Sequence, residues 1–217
     1  MANQTKTTTV NTQSVKPESI KKTISMDYTE VYELESLDQR KLYINSDIDE
    51  AVIDTIVFHI LRYNNMDKGI PKENRIPIIL YINSPGGTVS DGYGLIDAII
   101  TSKTPVYTVN QAMCASMGFL IFLAGEKRYS MPHAEFLMHD GSTFGYGSTA
   151  KMKDRMEFEA GQLEKMTKDY VLKRTKITEK KYDEKYRVEW YMLPSEAKEN
   201  GVTQYIIGED CDIDDIL

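Results

Sequence analysis

Cysteine, histidine and tryptophan are scarce in this chain, with 2, 3 and 1 among 217 residues. Cys114 and Cys211 have neither the number nor the spacing of a disulfide framework or a metal site, so both are expected as reduced thiols, Cys114 buried. No metal or cofactor is expected. Long apolar runs are also missing: none approaches the roughly eighteen residues of a membrane span. The amino-terminal stretch MANQTKTTTVNTQSVKPESIKK has no apolar core of the kind a secretory leader needs. The expected location is the cytoplasm, away from membranes. Basic clusters interleaved with aromatics are absent as well, and the formal net charge is -7, from 33 acidic against 26 basic residues. That balance disfavours nucleic acid as a partner.

What is present is enough apolar material for one sizeable core, with 41% hydrophobic residues and 10% aromatic. Residues 1–25 are polar and read as a mobile arm, because they cannot bury enough apolar surface to offset the entropy of ordering. From Lys41 onward, KLYINS and IPIILYINS have the composition of strands, while DEAVIDTIVFHILRYNN carries Val52, Ile53, Ile56, Val57, Ile60 and Leu61 at helical spacing. A second helix from Ser90 to about Ser102 leads into TPVYTVN, and a helix opening near Ser116 leads through KRYSMP into EFLMHD. Repeated strand–helix units imply right-handed crossovers, an α/β fold and a largely parallel sheet. Lys151 to Lys173 should form a long amphipathic helix with a stripe of Met152, Met156, Leu163, Met166 and Tyr170, its many charges suiting a projection towards another subunit. The domain is expected to span 26–210, followed by an acidic, solvated tail at 211–217.

Three places break the apolar logic. In NSPGGTVSDG a strand ends in Ser-Pro-Gly-Gly, and paired glycines can bring backbone N–H groups close to a ligand. In QAMCASMGFLIFLAG, Ser116 is a lone hydroxyl opening an apolar helix. By itself it is an ordinary helix cap. His139 ends the strand EFLMHD, whereas His59 lies on an apolar-periodic helix and His133 in a turn. Sites in open α/β sheets collect at the carboxyl ends of strands, so the three together point to one cluster. Its chemistry fits acyl transfer: Ser116 as nucleophile, His139 as base, and backbone N–H groups of Met117 and a glycine of PGG for the oxyanion.

YINSPGGTVSDGYGLIDAI, VNQAMCASMGFLIFLAGEKRYSMPHAEFLMHD and PSEAKENGV resemble the proteolytic subunit family of the Clp protease, ClpP, from about Lys41 to Ile207. The resemblance implies the crotonase-related ClpP fold and a serine endopeptidase that cleaves unfolded polypeptides inside a chamber of stacked homo-oligomeric rings. A AAA+ unfoldase would deliver substrate, and the long helix would make the ring-to-ring contact. The family's serine and histidine fall on Ser116 and His139, and its oxyanion residues on Gly86 and Met117, with Gly87 a close alternative.

The triad acid departs from the pattern. Counting without gaps, its position falls on Lys185, and a lysine cannot stabilise a histidinium. Asp183 and Glu184 are the nearest acids and the expected substitutes; Glu189 lies four residues further on and Asp140 follows His139 directly. Two other readings stand beside the peptidase. One is a non-catalytic ring subunit, argued from Lys185. The other is an acyl-CoA enzyme of the crotonase fold, which leaves Ser116 and His139 without a role.

Overall fold

The computed structural model describes residues 6–9, 23–26, 28–142 and 147–217. The chain divides into two compact units, Met1–Lys41 and Leu42–Leu217. In the first, the strands β1 (Lys6–Thr9) and β2 (Thr23–Met26) pair antiparallel, Lys6 opposite Met26 and Thr9 opposite Thr23, and α1 spans Tyr28–Asp38. The polar composition read as a mobile arm thus includes a short ladder, and residues 10–22 lie outside the described residues.

A seven-stranded sheet organises the second unit. Its path runs β3 (Lys41–Ile44), β4 (Ile78–Ser84), β5 (Val106–Ala115), β6 (Lys127–Ser130) and, at the far end, β9 (Tyr205–Ile206). Five consecutive residues of β4, Ile78 to Ile82, are all buried, as expected of a central strand covered on both faces. The ladders β4–β5, β5–β6 and β6–β9 are parallel. β5 is long enough to serve two neighbours: its first half pairs with β6, and Met113 to Ala115 pair with β7 (Glu135–Met138). β8 (Trp190–Met192) then adds to β7 antiparallel. The fold is the mixed α/β architecture with a largely parallel sheet that the alternating pattern implies.

Helices cover the sheet. A π turn at Ile53–Val57 runs into α2 (Phe58–Met66), and α3 spans Val89–Thr101 with Leu95, Ile96 and Ile99 facing the core. α4 (Met117–Ala124) is buried along almost its whole length. The long helix expected over 151–173 forms as α5 (Thr149–Phe158), a π turn at Glu159–Leu163 and α6 (Glu164–Arg174). Ser148 caps it, its Oγ accepting the N–H of Lys151. No side chain of α5 is buried, whereas α6 fastens to the domain: Tyr170 Oη donates to the Leu120 carbonyl, and Arg174 donates to the carbonyls of Leu123, Ala124 and Gly125. Those are the orphan acceptors at the end of α4, so a cation closes the helix where its dipole favours one. α7 (Glu179–Lys185) and α8 (Pro194–Glu199) flank β8. Among the described residues, no helix is long and apolar enough to cross a membrane.

The acidic tail is not simply solvated. Ile216, 1% exposed, packs with Ile79, Tyr81, Val109, Tyr129 and Ile207 in a second apolar cluster on the sheet, and the Tyr81 hydroxyl donates to its carbonyl. Asp212 and Asp215 form a capping box that shapes the last turn, and Asp210 pairs with Lys198. One isoleucine in a preformed groove outweighs the solvation of its acidic neighbours, because their carboxylates bond locally instead of being buried. Ile216→Ala should therefore lower unfolding stability by about 2 kcal/mol, at the low end of core truncations because the site is peripheral. A shifted urea midpoint measures it, and an unchanged midpoint would mean the tail contributes nothing.

Candidate active site

Three strand ends finish level at one edge of the sheet. Ser84 pairs with Cys114 in the β4–β5 ladder and Ala115 with Leu137 in the β5–β7 ladder. The turn after β4, Ser116 and His139 consequently emerge side by side, and Gly87, Ser116, Met117 and His139 all line one cavity of about 1050 Å³.

Ser116 joins β5 to α4 at φ 52°, ψ -120°, a conformation that costs a non-glycine residue about 1–3 kcal/mol. Its backbone is held from two sides: its N–H donates to the Leu137 carbonyl at 3.0 Å, and its carbonyl accepts from Phe119 and Leu120 at 3.1 and 3.3 Å. Its hydroxyl makes no capping bond, which removes the ordinary explanation for a serine at this position. The turn is tight because its neighbours are small. A Cβ on Gly118 would stand 3.1 Å from the Ser84 carbonyl, and one on Gly86 2.6 Å from Ser116 Cβ and 3.0 Å from Met117 N. Met117 is the first residue of α4, where N–H groups lack intrahelical partners and point outward. Its side chain is not incidental: it fills the notch left by Gly92 on α3, where any Cβ would lie 2.3 Å from Met117 Cγ.

The two glycines are held differently. Gly86 N–H donates to Ser84 Oγ at 3.1 Å and so is already engaged. Gly87 bridges Ile48 in parallel, with Ile48 N–H on the Gly86 carbonyl and Thr88 N–H on the Ile48 carbonyl, both 2.7 Å. In such a bridge the central residue's own N–H points away from its partner. Gly87 N–H therefore faces away from Ile48, and it is Gly87, not Gly86, that lines the cavity. Gly86 is the close-packing glycine, and Gly87 and Met117 line the cavity.

His139 follows β7, one residue beyond Met138. The β7–β8 register pairs Phe136 with Met192, Leu137 with Tyr191 and Met138 with Trp190, so the next cross-strand pair is His139 and Glu189. Their side chains meet, His139 Nδ1 2.9 Å from Glu189 Oε1. An ionised carboxylate only accepts, so Nδ1 carries the proton and a neutral ring leaves its Nε2 lone pair for a hydroxyl. That Nε2 is buried and has no hydrogen-bond partner among the described residues. No hydrogen bond joins it to Ser116 Oγ either, a contact that in resting enzymes often tightens only with substrate bound. With Glu189 59% exposed the pair adds well under about 1 kcal/mol to stability, so its effect is on ring orientation.

Neither acid expected from the sequence is there. Asp183 Oδ1 pairs with Lys168 at 2.7 Å, and Glu184 lies 3.9 Å from Lys180 on the exposed side of α7. Lys185 turns its ammonium over the Trp190 ring, 5.7 Å from the centroid. Asp140 lies exposed at the cavity rim. The carboxylate beside His139 comes from the strand side and not from α7: α7 ends at Lys185, a turn closes through Val188 N–H on the Lys185 carbonyl, and the ladder sets the position of Glu189. The signal available in the sequence was the short strand WYM just after it. Cys114 is buried, which raises its thiol well above the ordinary range and keeps it unreactive beside Ser116.

A serine on a strained strand-to-helix turn and an imidazole backed by a carboxylate, lining one cavity, are the groups that serine hydrolases on α/β sheets use. The Clp protease family model matches residues 23–210, and the chain belongs to that family. It is 34% identical over 151 residues to the ATP-dependent Clp protease proteolytic subunit 1 of Frankia casuarinae, covering 61% of this chain and 68% of that one. Subunit 1 of Shouchella clausii is 27% identical over 176 residues, with 79% and 86% covered. A point mutant of ClpP1 from Listeria monocytogenes superposes with a TM-score of 0.69 at 23% identity, over 86% of this chain and 99% of that one, a likeness of fold.

Gly86→Ala should destabilise the protein by more than Gly69→Ala. Both glycines have positive φ, 109° and 90°, but a Cβ on Gly69 meets nothing within 4 Å. The control carries only backbone strain of about 1–3 kcal/mol, and the difference in urea midpoints isolates the clash with Ser116. Equal midpoints would show that the serine turn is not sterically braced.

Proposed function

We propose that the chain is a serine endopeptidase subunit that cleaves unfolded polypeptides through an acyl-enzyme. The observation that carries the reading is the His139 Nδ1–Glu189 bond, which leaves Nε2 unpartnered in the same cavity as Ser116. His139 Nε2 takes the Ser116 proton as Oγ attacks the peptide carbonyl. The oxyanion is received by the N–H groups of Gly87 and Met117, at the positive end of α4. His139 then gives its proton to the leaving amine, and water, activated by the same nitrogen, hydrolyses the ester. Glu189 accepts from Nδ1 throughout, holding the tautomer and stabilising the imidazolium.

The non-catalytic reading draws on Lys185; Glu189 against the ring supports the peptidase instead. A fluorophosphonate should label Ser116, and Ser116→Ala should abolish labelling. Glu189→Gln should lower kcat/KM for a small peptide on the order of 10²–10⁴-fold, while Asp183→Asn, Glu184→Gln and Lys185→Ala change it little. No labelling and no turnover in the wild type, even with a cognate unfoldase, would favour the non-catalytic subunit. A Glu189→Gln variant as active as wild type would remove the acid's role.

Family membership supports homo-oligomeric rings working with a AAA+ unfoldase in the cytoplasm. The exposed stripe on α5 supports its use as the ring-to-ring contact: Met152 and Met156 are 39% and 63% exposed in the single chain. Charging it with Met152→Asp and Met156→Asp would put two carboxylates into that contact, which desolvate only at high cost. Sedimentation should then give species smaller than the wild-type assembly; an unchanged sedimentation coefficient would remove the helix from the contact.

A further inference from the structure

A second cavity, of about 400 Å³, shares no lining residue with the one at Ser116. It opens where β6, the end of α6 and the segment after α8 meet, and its charges are of one sign: Arg128, Lys173, Arg174, Lys176 and Lys198 line it, with no carboxylate among the described residues. In a chain whose formal net charge is -7, that is a local inversion. Asp210, outside the lining, pairs with Lys198. Among the described residues, no ion pair engages the other four. Arg128 is the buried member, 8% exposed. Its Nε donates to the Val202 carbonyl at 2.7 Å, and its Nη2 to the carbonyls of Gly201 and Arg174 at 3.0 and 3.2 Å. Nη1 has no hydrogen-bond partner among the described residues. The carbonyls satisfy donors without cancelling the charge, and burial, helped by the Arg174 guanidinium, lowers Arg128 to about 10. The Arg128 backbone N–H donates to Gln204 Oε1 at 2.9 Å, which orients that amide and leaves its NH₂ as a further donor.

Buried charges are normally paired with an opposite one, and this guanidinium is not. The polar groups left over at the cavity, namely Arg128 Nη1, the Lys173 and Lys176 ammoniums and the Gln204 amide, are all donors. A neutral ligand leaves the charge uncompensated, and a carboxylate brings two oxygens and one negative charge. A phosphate group brings up to two negative charges and three or more acceptor oxygens, enough to engage all four. We propose that this cavity binds a phosphate-bearing small molecule, with Arg128 Nη1 as the fixed donor and the exposed Lys173 and Lys176 closing over the phosphate from the rim. The site owes nothing to Ser116.

Calorimetric titration of the full chain with pyrophosphate, inorganic phosphate and glycerol 3-phosphate, each against chloride at matched ionic strength, tests this. Saturable binding is expected for at least one of the three, and the tightest tells whether free or esterified phosphate is preferred. Lys173→Ala combined with Lys176→Ala should weaken that binding about 10-fold or more, through lost charge-assisted hydrogen bonds. The control pair Lys153→Ala and Lys180→Ala removes the same charge from exposed helix positions outside the cavity and should leave the affinity nearly unchanged. Absence of saturable binding by all three compounds, or equal affinities in the two double variants, overturns the assignment. If the wild type binds none of them and the first double variant sediments as a smaller species, the cations serve acids of a neighbouring subunit and the phosphate site is likewise overturned.

Discussion

The level finish of β4, β5 and β7 is the constraint from which the site follows. Parallel pairing of Ser84 with Cys114 and Ala115 with Leu137 fixes where three chain segments leave the sheet, and side chains just past those points cannot avoid one another. Once the register is set, the PGG turn, the serine and the histidine are neighbours whatever their separation in sequence. This is the general reason that sites in open α/β sheets gather at strand ends. Here the site also needs β8, which runs antiparallel to β7 and so returns from the other direction to set Glu189 opposite His139.

Holding a serine at positive φ requires that its surroundings leave no cheaper option. The bonds from Ser116 to Leu137, Phe119 and Leu120 fix its peptide groups, and Gly86 and Gly118 let the neighbouring turn and Ser84 approach without a Cβ between them. Arg174 closes the far end of α4, tying the helix that Ser116 opens to the long helix that carries the exposed methionines. The same long helix contributes the π turn at Glu159–Leu163 and the carboxylate of Glu164 to the cavity wall. One element thus bears on both the cavity and the exposed methionine stripe.

Strands and helices were legible in the sequence because their apolar periods differ, and Ser116 and His139 were legible because each interrupts an apolar run at a boundary. The sequence by itself determined that β4, β5 and β7 exist, that they are buried, and that a serine, a histidine and two glycines follow them. Only the tertiary structure decided how each glycine is held, since hydrogen bonding by Ser84 Oγ and Ile48 separates Gly86 from Gly87. It likewise decided that Glu189, and not Asp183 or Glu184, meets the imidazole, and that Ile216 leaves the acidic tail for an apolar groove. The physical reason is common to all three. Period and composition are local properties of the chain, whereas the partner of a polar group, or of a lone apolar one, depends on strand register and packing between distant segments.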